Sequence, residues 1–131
     1  MQRLKKLLII DDEDDVRLFL EDFLSEREFC VSSAPSAEEG LELMAKNIPD
    51  VVLLDLMMPG MDGLECLKQI KKKYPQIKVI MITALNDEAK VALAKKNGAE
   101  NYILKPFSLE YLESELLELI REEDASSTDK D

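Results

Sequence analysis

The sequence predicts an α/β domain: a five-stranded parallel sheet with helices on both faces, a (βα)5 doubly wound arrangement. Three observations carry this expectation. Short apolar runs alternate strictly with longer segments of helical period, five of each. The most apolar runs are continuous rather than alternating, as strands buried on both faces require. The chain has 131 residues, 46% of them apolar and 34% charged, enough for one core and one solvated surface but not two.

Taken in order, Lys6 to Ile10 is apolar, ends abruptly in acid and reads as a buried strand. Val16, Phe19, Leu20, Phe23 and Leu24 then share one helical face. Phe29 to Ser33 is a more polar strand, suited to a sheet edge. Ser36 to Glu39 has capping-box spacing, and Ala37, Leu41, Met44 and Ala45 continue as an apolar stripe. Asp50 to Leu54 is the most apolar strand, followed by a Pro59-Gly60 loop and a helix capped by Asp62 with Leu64, Leu67 and Ile70 inward. Lys78 to Ile82 is the fourth strand, and Asp87 to Asn97 a helix closed by Gly98. Asn101 to Leu104 is the fifth strand. Ser108 opens a last helix with Leu109, Leu112, Leu116, Leu119 and Ile120 at core spacing. Residues 1–121 form the domain, and the acidic, Ser/Thr-rich residues 122–131 read as a disordered tail or linker stub.

Composition excludes several functions. A net charge of −11 argues against direct nucleic-acid binding, which needs clustered Lys and Arg. The absence of histidine removes Ser-His-Asp and Cys-His catalysis. Two cysteines, Cys30 and Cys66, make neither a zinc site nor a disulfide framework. No apolar run approaches a membrane span, and residues 1–6 lack the apolar stretch of a signal peptide, so the domain is expected to be soluble and cytoplasmic.

The strand ends carry the chemistry. The first strand runs into Asp11 and Asp12, the third into Asp55, the fourth into Thr83 and the fifth into Lys105. In a parallel sheet these ends share one edge, where ligands bind. Two carboxylates about 4 Å apart repel by roughly 4 kcal/mol at an effective dielectric near 20. Three such pairs cost on the order of 10 kcal/mol, similar to a domain's whole stability. Either a carboxylate takes up a proton or a cation sits among them. With only oxygen ligands at hand the cation is hard, and Mg²⁺ is the intracellular default. An aspartate beside Mg²⁺ can act as nucleophile toward a phosphoryl group, with Lys105 and the Thr83 hydroxyl meeting the phosphoryl oxygens. Asp14 and Asp15 are read instead as an acidic helix start favoured by the dipole.

Four fragments together resemble a known family: Ile9-Ile10-Asp11-Asp12-Glu13, Leu53 through Gly63, Ile82-Thr83-Ala84, and Tyr102 through Phe107. They resemble the receiver domain of bacterial two-component response regulators, similar to the chemotaxis response regulator, over Leu7 to Ile120. The resemblance implies strand order 2-1-3-4-5 and a phosphoacceptor signalling domain rather than an enzyme. It implies Asp55 as phosphoacceptor for a sensor histidine kinase, with Asp11, Asp12, Asp55 and the Met57 backbone carbonyl as Mg²⁺ ligands. Lys105 becomes the phosphoryl-binding lysine, and Thr83 and Tyr102 the switch residues. A surface of the fourth helix, fifth strand and fifth helix then answers to a downstream protein or output domain, or forms a homodimer. A cis Lys105–Pro106 peptide is also implied. Met57 and Leu85 are apolar where relatives carry polar groups, from which a longer phosphoryl lifetime is expected.

Three alternatives compete for the same residues. A haloacid dehalogenase-like phosphatase needs a second Asp two residues after the nucleophile, where this chain has Met57. A flavodoxin-like FMN protein needs a phosphate loop after the first strand, where this chain has five acidic residues in a row. A pseudo-receiver that binds partners without phosphorylation would not need the complete residue set.

Overall fold

The computed structural model describes residues 4–58, 60–84 and 88–122. Five strands, β1 (Lys6–Ile10), β2 (Cys30–Ala34), β3 (Val51–Asp55), β4 (Lys78–Thr83) and β5 (Asn101–Leu104), form one parallel sheet in the order β2-β1-β3-β4-β5. The helices between them are α1 (Asp14–Ser25), α2 (Ala37–Lys46), α3 (Gly63–Lys73) and α4 (Glu88–Lys96). The last helix, α5 (109–121), contains one π-helical stretch, Leu112–Leu116.

The continuous apolar runs follow from burial on both faces. Leu8, Ile10, Val52, Leu54, Val79 and Met81 point one way, against Met44 of α2, Leu67 and Ile70 of α3 and Ala94 of α4. The alternate residues Leu7, Ile9, Val51, Leu53, Ile80 and Ile82 face α1 and α5, through Leu20, Phe23, Leu24, Leu112, Leu116 and Ile120. Each fully buried large side chain contributes about 1.5–3 kcal/mol against the entropy of ordering the chain. β2 closes one edge and is more exposed, as its composition requires. The expected caps form: Ser36 accepts from the Glu39 N–H, Asp62 from that of Glu65 and Ser108 from that of Tyr111. Gly98 ends α4 at φ +109°, a left-handed conformation that suits glycine.

Several details differ from the sequence expectation. β2 begins at Cys30 rather than Phe29, and β3 runs Val51–Asp55 rather than from Asp50. Asp50 instead uses its carboxylate to accept the Lys6 N–H at 2.7 Å. Asp55 and Thr83 are therefore the last residues of their strands, locked into the ladder rather than loose beyond it. Ala45 is exposed, and Gly40 takes the inward place because its missing Cβ lets α2 approach Ile10 closely. Phe19 and Leu109 are only partly covered, 42% and 52% exposed, with Phe19 stacked against Phe23 and Phe107, while Leu117 is buried. The π-helical stretch accounts for the last change, since its slower winding brings Leu117 onto the face of Leu112. The expected helix start at Asp87, the positions of Pro59 and Leu85, and the 122–131 tail beyond Glu122 lie outside the described residues. No helix among the described residues is long and apolar enough to cross a membrane.

The turn from β3 into α3 leaves no room for a side chain at its first helical residue. A Cβ on Gly63 would collide with the Asp55 carbonyl oxygen and the Leu56 Cα, both backbone. The Gly63→Ala variant is expected to lose about 1–3 kcal/mol of stability, read from its urea midpoint. An unchanged midpoint would mean that α3 does not start against the backbone carrying Asp55.

Candidate functional site

Among the described residues, the fully buried polar or charged side chains are Asp11, Asp55 and Thr83, and all three stand at the carboxyl edge of the sheet. Asp11 follows β1; its N–H donates to the Ala34 carbonyl and its own carbonyl accepts from Arg17 Nη1 at 2.8 Å. Asp55 closes β3 opposite Ile82, and Thr83 closes β4 opposite Leu104. Lys105 leaves β5 with its N–H on the Thr83 carbonyl at 2.8 Å, and the Lys105–Pro106 peptide is cis.

The side chains converge. Asp55 Oδ1 accepts the Met57 N–H at 3.0 Å, and Asp55 Oδ2 accepts from Lys105 Nζ at 3.3 Å. Asp11 Oδ1 accepts the Glu13 N–H at 2.8 Å. Asp11 Oδ2 lies 3.0 Å from Lys105 Nζ as an ion pair, yet accepts no hydrogen bond although it is buried. Lys105 Nζ makes its shortest contact, 2.6 Å, to Glu13 Oε1. Carboxylate oxygens of Asp11, Asp12 and Asp55 lie within 4.8 Å of one another.

Electrostatics follow from this crowding. Burial pushes the Asp55 carboxyl up to about 6 from 3.8; the Met57 N–H opposes the rise, the Asp11 charge adds to it, and Lys105 opposes it. Burial pulls Lys105 down, but the Glu13 and Asp11 carboxylates and the Asp55 charge outweigh it, holding the ammonium above its ordinary range. Asp12 is exposed, so solvent screens its share of the repulsion, and the strain expected of three equal carboxylates falls mainly on Asp11 and Asp55.

An all-oxygen donor set with one buried, hydrogen-bond-free carboxylate oxygen fits a hard divalent cation. Asp11, Asp12, Asp55, Thr83 and Lys105 are thus brought to one place. Met57 is at its rim, with its side chain 52% exposed and its N–H spent on Asp55. Tyr102 is not in the site: it is 38% exposed on β5, with Lys95 Nζ 5.3 Å from its ring centroid. Glu13 and Arg17 received no role from the sequence. Their signal lay in the acidic run itself, since Arg17 follows Asp14 by one helical turn and Glu13 directly follows the two site aspartates.

The fold and the site define a class: a flavodoxin-like α/β domain whose binding edge pairs a cation cluster with a lysine suited to an anion. Residues 7–117 match the response regulator receiver domain model, and the chain belongs to that family. It is 36% identical over 123 residues to the transcriptional regulatory protein AfsQ1 of Streptomyces coelicolor, covering 94% of this chain and 54% of that protein. The response regulator domain of Thermotoga maritima CheB superposes with a TM-score of 0.80 at 37% identity, covering 91% of this chain and 95% of that one. Vibrio cholerae chemotaxis protein CheY4 superposes with a TM-score of 0.82 at 28% identity, over 88% and 98%. The chain spans about half the length of the curated relatives it matches.

Because the folded state holds the Asp55 proton more tightly than the unfolded chain does, this group's contribution to stability is full below about 3.8 and lost as pH rises through about 6. A rise of about two pH units corresponds to roughly 3 kcal/mol. In metal-free buffer, the stability of Asp55→Asn relative to the natural chain is therefore expected to climb by about 2–3 kcal/mol between pH 4 and pH 7. Urea titrations across that range check it, and a difference independent of pH would contradict the buried, crowded carboxylate.

Proposed function

We propose that this chain is the phosphoacceptor unit of a two-component phosphorelay, receiving a phosphoryl group on Asp55 from a sensor histidine kinase. One observation carries the reading. Asp55 is buried, one oxygen is held by the Met57 N–H, the other faces Lys105, and the buried oxygen of neighbouring Asp11 meets only the same Lys105 ammonium, at 3.0 Å.

Mg²⁺ is the ion this donor set would take, held by Asp11, Asp12, Asp55 and the Met57 carbonyl. When bound, it neutralises charge on the phosphoryl oxygens and on the carboxylates around them. The chain's own residues supply the rest. A carboxylate oxygen of Asp55 attacks phosphorus; a new O–P bond forms as the donor's bond to phosphorus breaks, and the leaving group departs with that electron pair. Burial that raises the Asp55 pKa to about 6 still leaves it ionised, and hence nucleophilic, at pH 7 and above. Lys105 turns from Asp55 to a phosphoryl oxygen, keeping its charge because its pKa is raised. The Thr83 hydroxyl, fully buried at the end of β4, donates to another.

Movement of Thr83 toward the phosphoryl group would free space behind it for Tyr102 to turn inward. The face of α4, β5 and α5 would change with it. That face carries exposed Leu93, Tyr102, Leu104 and Leu109, apolar area suited to a downstream protein, an output domain or a second copy. AfsQ1 and other relatives about twice as long are named transcriptional regulators, which supports an output domain joined after a tail or linker at residues 122–131. Free cysteines, Cys30 exposed and Cys66 buried, suit a reducing cytoplasm.

Incubation with acetyl phosphate and Mg²⁺ is expected to add one phosphoryl group by intact mass. The adduct is absent in Asp55→Asn and absent in chelator. No adduct under conditions that label a known receiver would contradict the reading and favour a partner-binding module. Independently, Mg²⁺ at ten times its dissociation constant is expected to stabilise the fold by about 1.4 kcal/mol. A melting temperature unchanged across a Mg²⁺ titration would contradict the metal site.

A further inference from the structure

Two cations have claims on the same carboxylates. Lys105 Nζ lies 3.0 Å from Asp11 Oδ2 and 3.3 Å from Asp55 Oδ2. Those two aspartates, with Asp12, are also the group whose oxygens gather closely enough to hold a metal ion. A divalent cation seated there brings two positive charges against an ammonium already in contact with the same oxygens. Without another counter-ion, Lys105 would have to leave for solvent or oppose the metal.

Glu13 provides that counter-ion. Its Oε1 is 2.6 Å from Lys105 Nζ, the shortest of the lysine's three carboxylate contacts. It stands outside the metal-holding group, and its side chain is 59% exposed, free of the burial that fixes Asp11 and Asp55. Its backbone is nevertheless anchored, because the Glu13 N–H donates to Asp11 Oδ1. The carboxylate therefore sits beside the site without being consumed by it.

We propose that Glu13 is a positioning residue that takes over Lys105 as Mg²⁺ enters, so that metal and lysine occupy the site together rather than exclude each other. The proposal rests on the Mg²⁺ and Lys105 reading above and adds to it a residue with no assigned role. Its consequence is a coupling: the benefit of Glu13 to metal binding depends on Lys105 being present.

Isothermal titration of Mg²⁺ into the full chain, Glu13→Gln, Lys105→Met and the double variant reads that coupling directly. Each variant is first shown to be folded by circular dichroism, with Lys105→Gln replacing the methionine variant if that does not fold. Glu13→Gln is expected to weaken Mg²⁺ binding roughly two- to fivefold, the range of a partly exposed ion pair. The same change in the Lys105→Met background is expected to weaken it distinctly less, since there is no ammonium to relocate. An equal loss in both backgrounds would reduce Glu13 to a general negative charge and overturn the proposal. So would unchanged affinity in Glu13→Gln. Failure of the unsubstituted chain to bind Mg²⁺ would overturn the underlying metal reading itself, and is distinguishable because it precedes any substitution.

Discussion

The structure turns on two like charges that its own backbone forces together. Asp11 follows β1 and Asp55 ends the adjacent parallel strand β3, and both are buried, 1% and 3% exposed. At an effective dielectric near 20, two carboxylates within 4.8 Å repel by roughly 3 kcal/mol or more. A lone buried carboxylate already bears a desolvation cost. Lys105 offsets part of this from the end of β5, where one ammonium is shared between Asp11 and Asp55, and the rest remains as the raised Asp55 pKa. That residual imbalance suits the site to a cation and to a group that consumes a carboxylate charge.

Holding such a pair in place requires a rigid frame, and the sheet provides it. Both faces of β1, β3 and β4 are covered, so a shift of either aspartate would unseat Ile9, Ile10, Leu53 and Leu54, all fully buried. Gly63 lets α3 begin directly against the Asp55 backbone, which fixes the β3–α3 turn and with it the Met57 N–H that holds Asp55 Oδ1. At the far end of the sheet, Lys5 and Lys78 donate to the carbonyls of Ile120 and Leu119, tying the last turn of α5 to β1 and β4. The core thus sets the geometry of the charges, and the charges determine what the carboxyl edge can bind.

Much of this was legible in the sequence because strand ends are marked by where apolar runs stop. Asp11, Asp12, Asp55, Thr83 and Lys105 each follow or close such a run, and the parallel alternation alone brings them to one edge. The helix caps were legible for a similar reason, since Ser36, Asp62 and Ser108 have few other uses at those positions. What escaped was what depends on distance rather than order. Glu13 looks like one more acidic residue in a run of five, and only the path of β5 shows that Lys105 reaches it. Ala45 fits an ideal helical stripe but is exposed, because Gly40 sets how α2 seats, and Leu117 is buried because a π-helical stretch rotates the end of α5. The burial of Asp55 was legible because it closes the most apolar strand, whereas Asp12 stands beyond the end of the first.

Asp55 is a carboxylate that the metal-free fold keeps out of electrostatic balance. Carbon-13 NMR of its side-chain carboxyl, titrated with pH with and without Mg²⁺, measures this at the atom concerned. A midpoint near 6 is expected in the metal-free protein, moving below the ordinary carboxylate range when Mg²⁺ is present. A midpoint near the ordinary 3.8 in both conditions would show that Asp55 is neither strained nor adjacent to a bound metal, and would contradict the account.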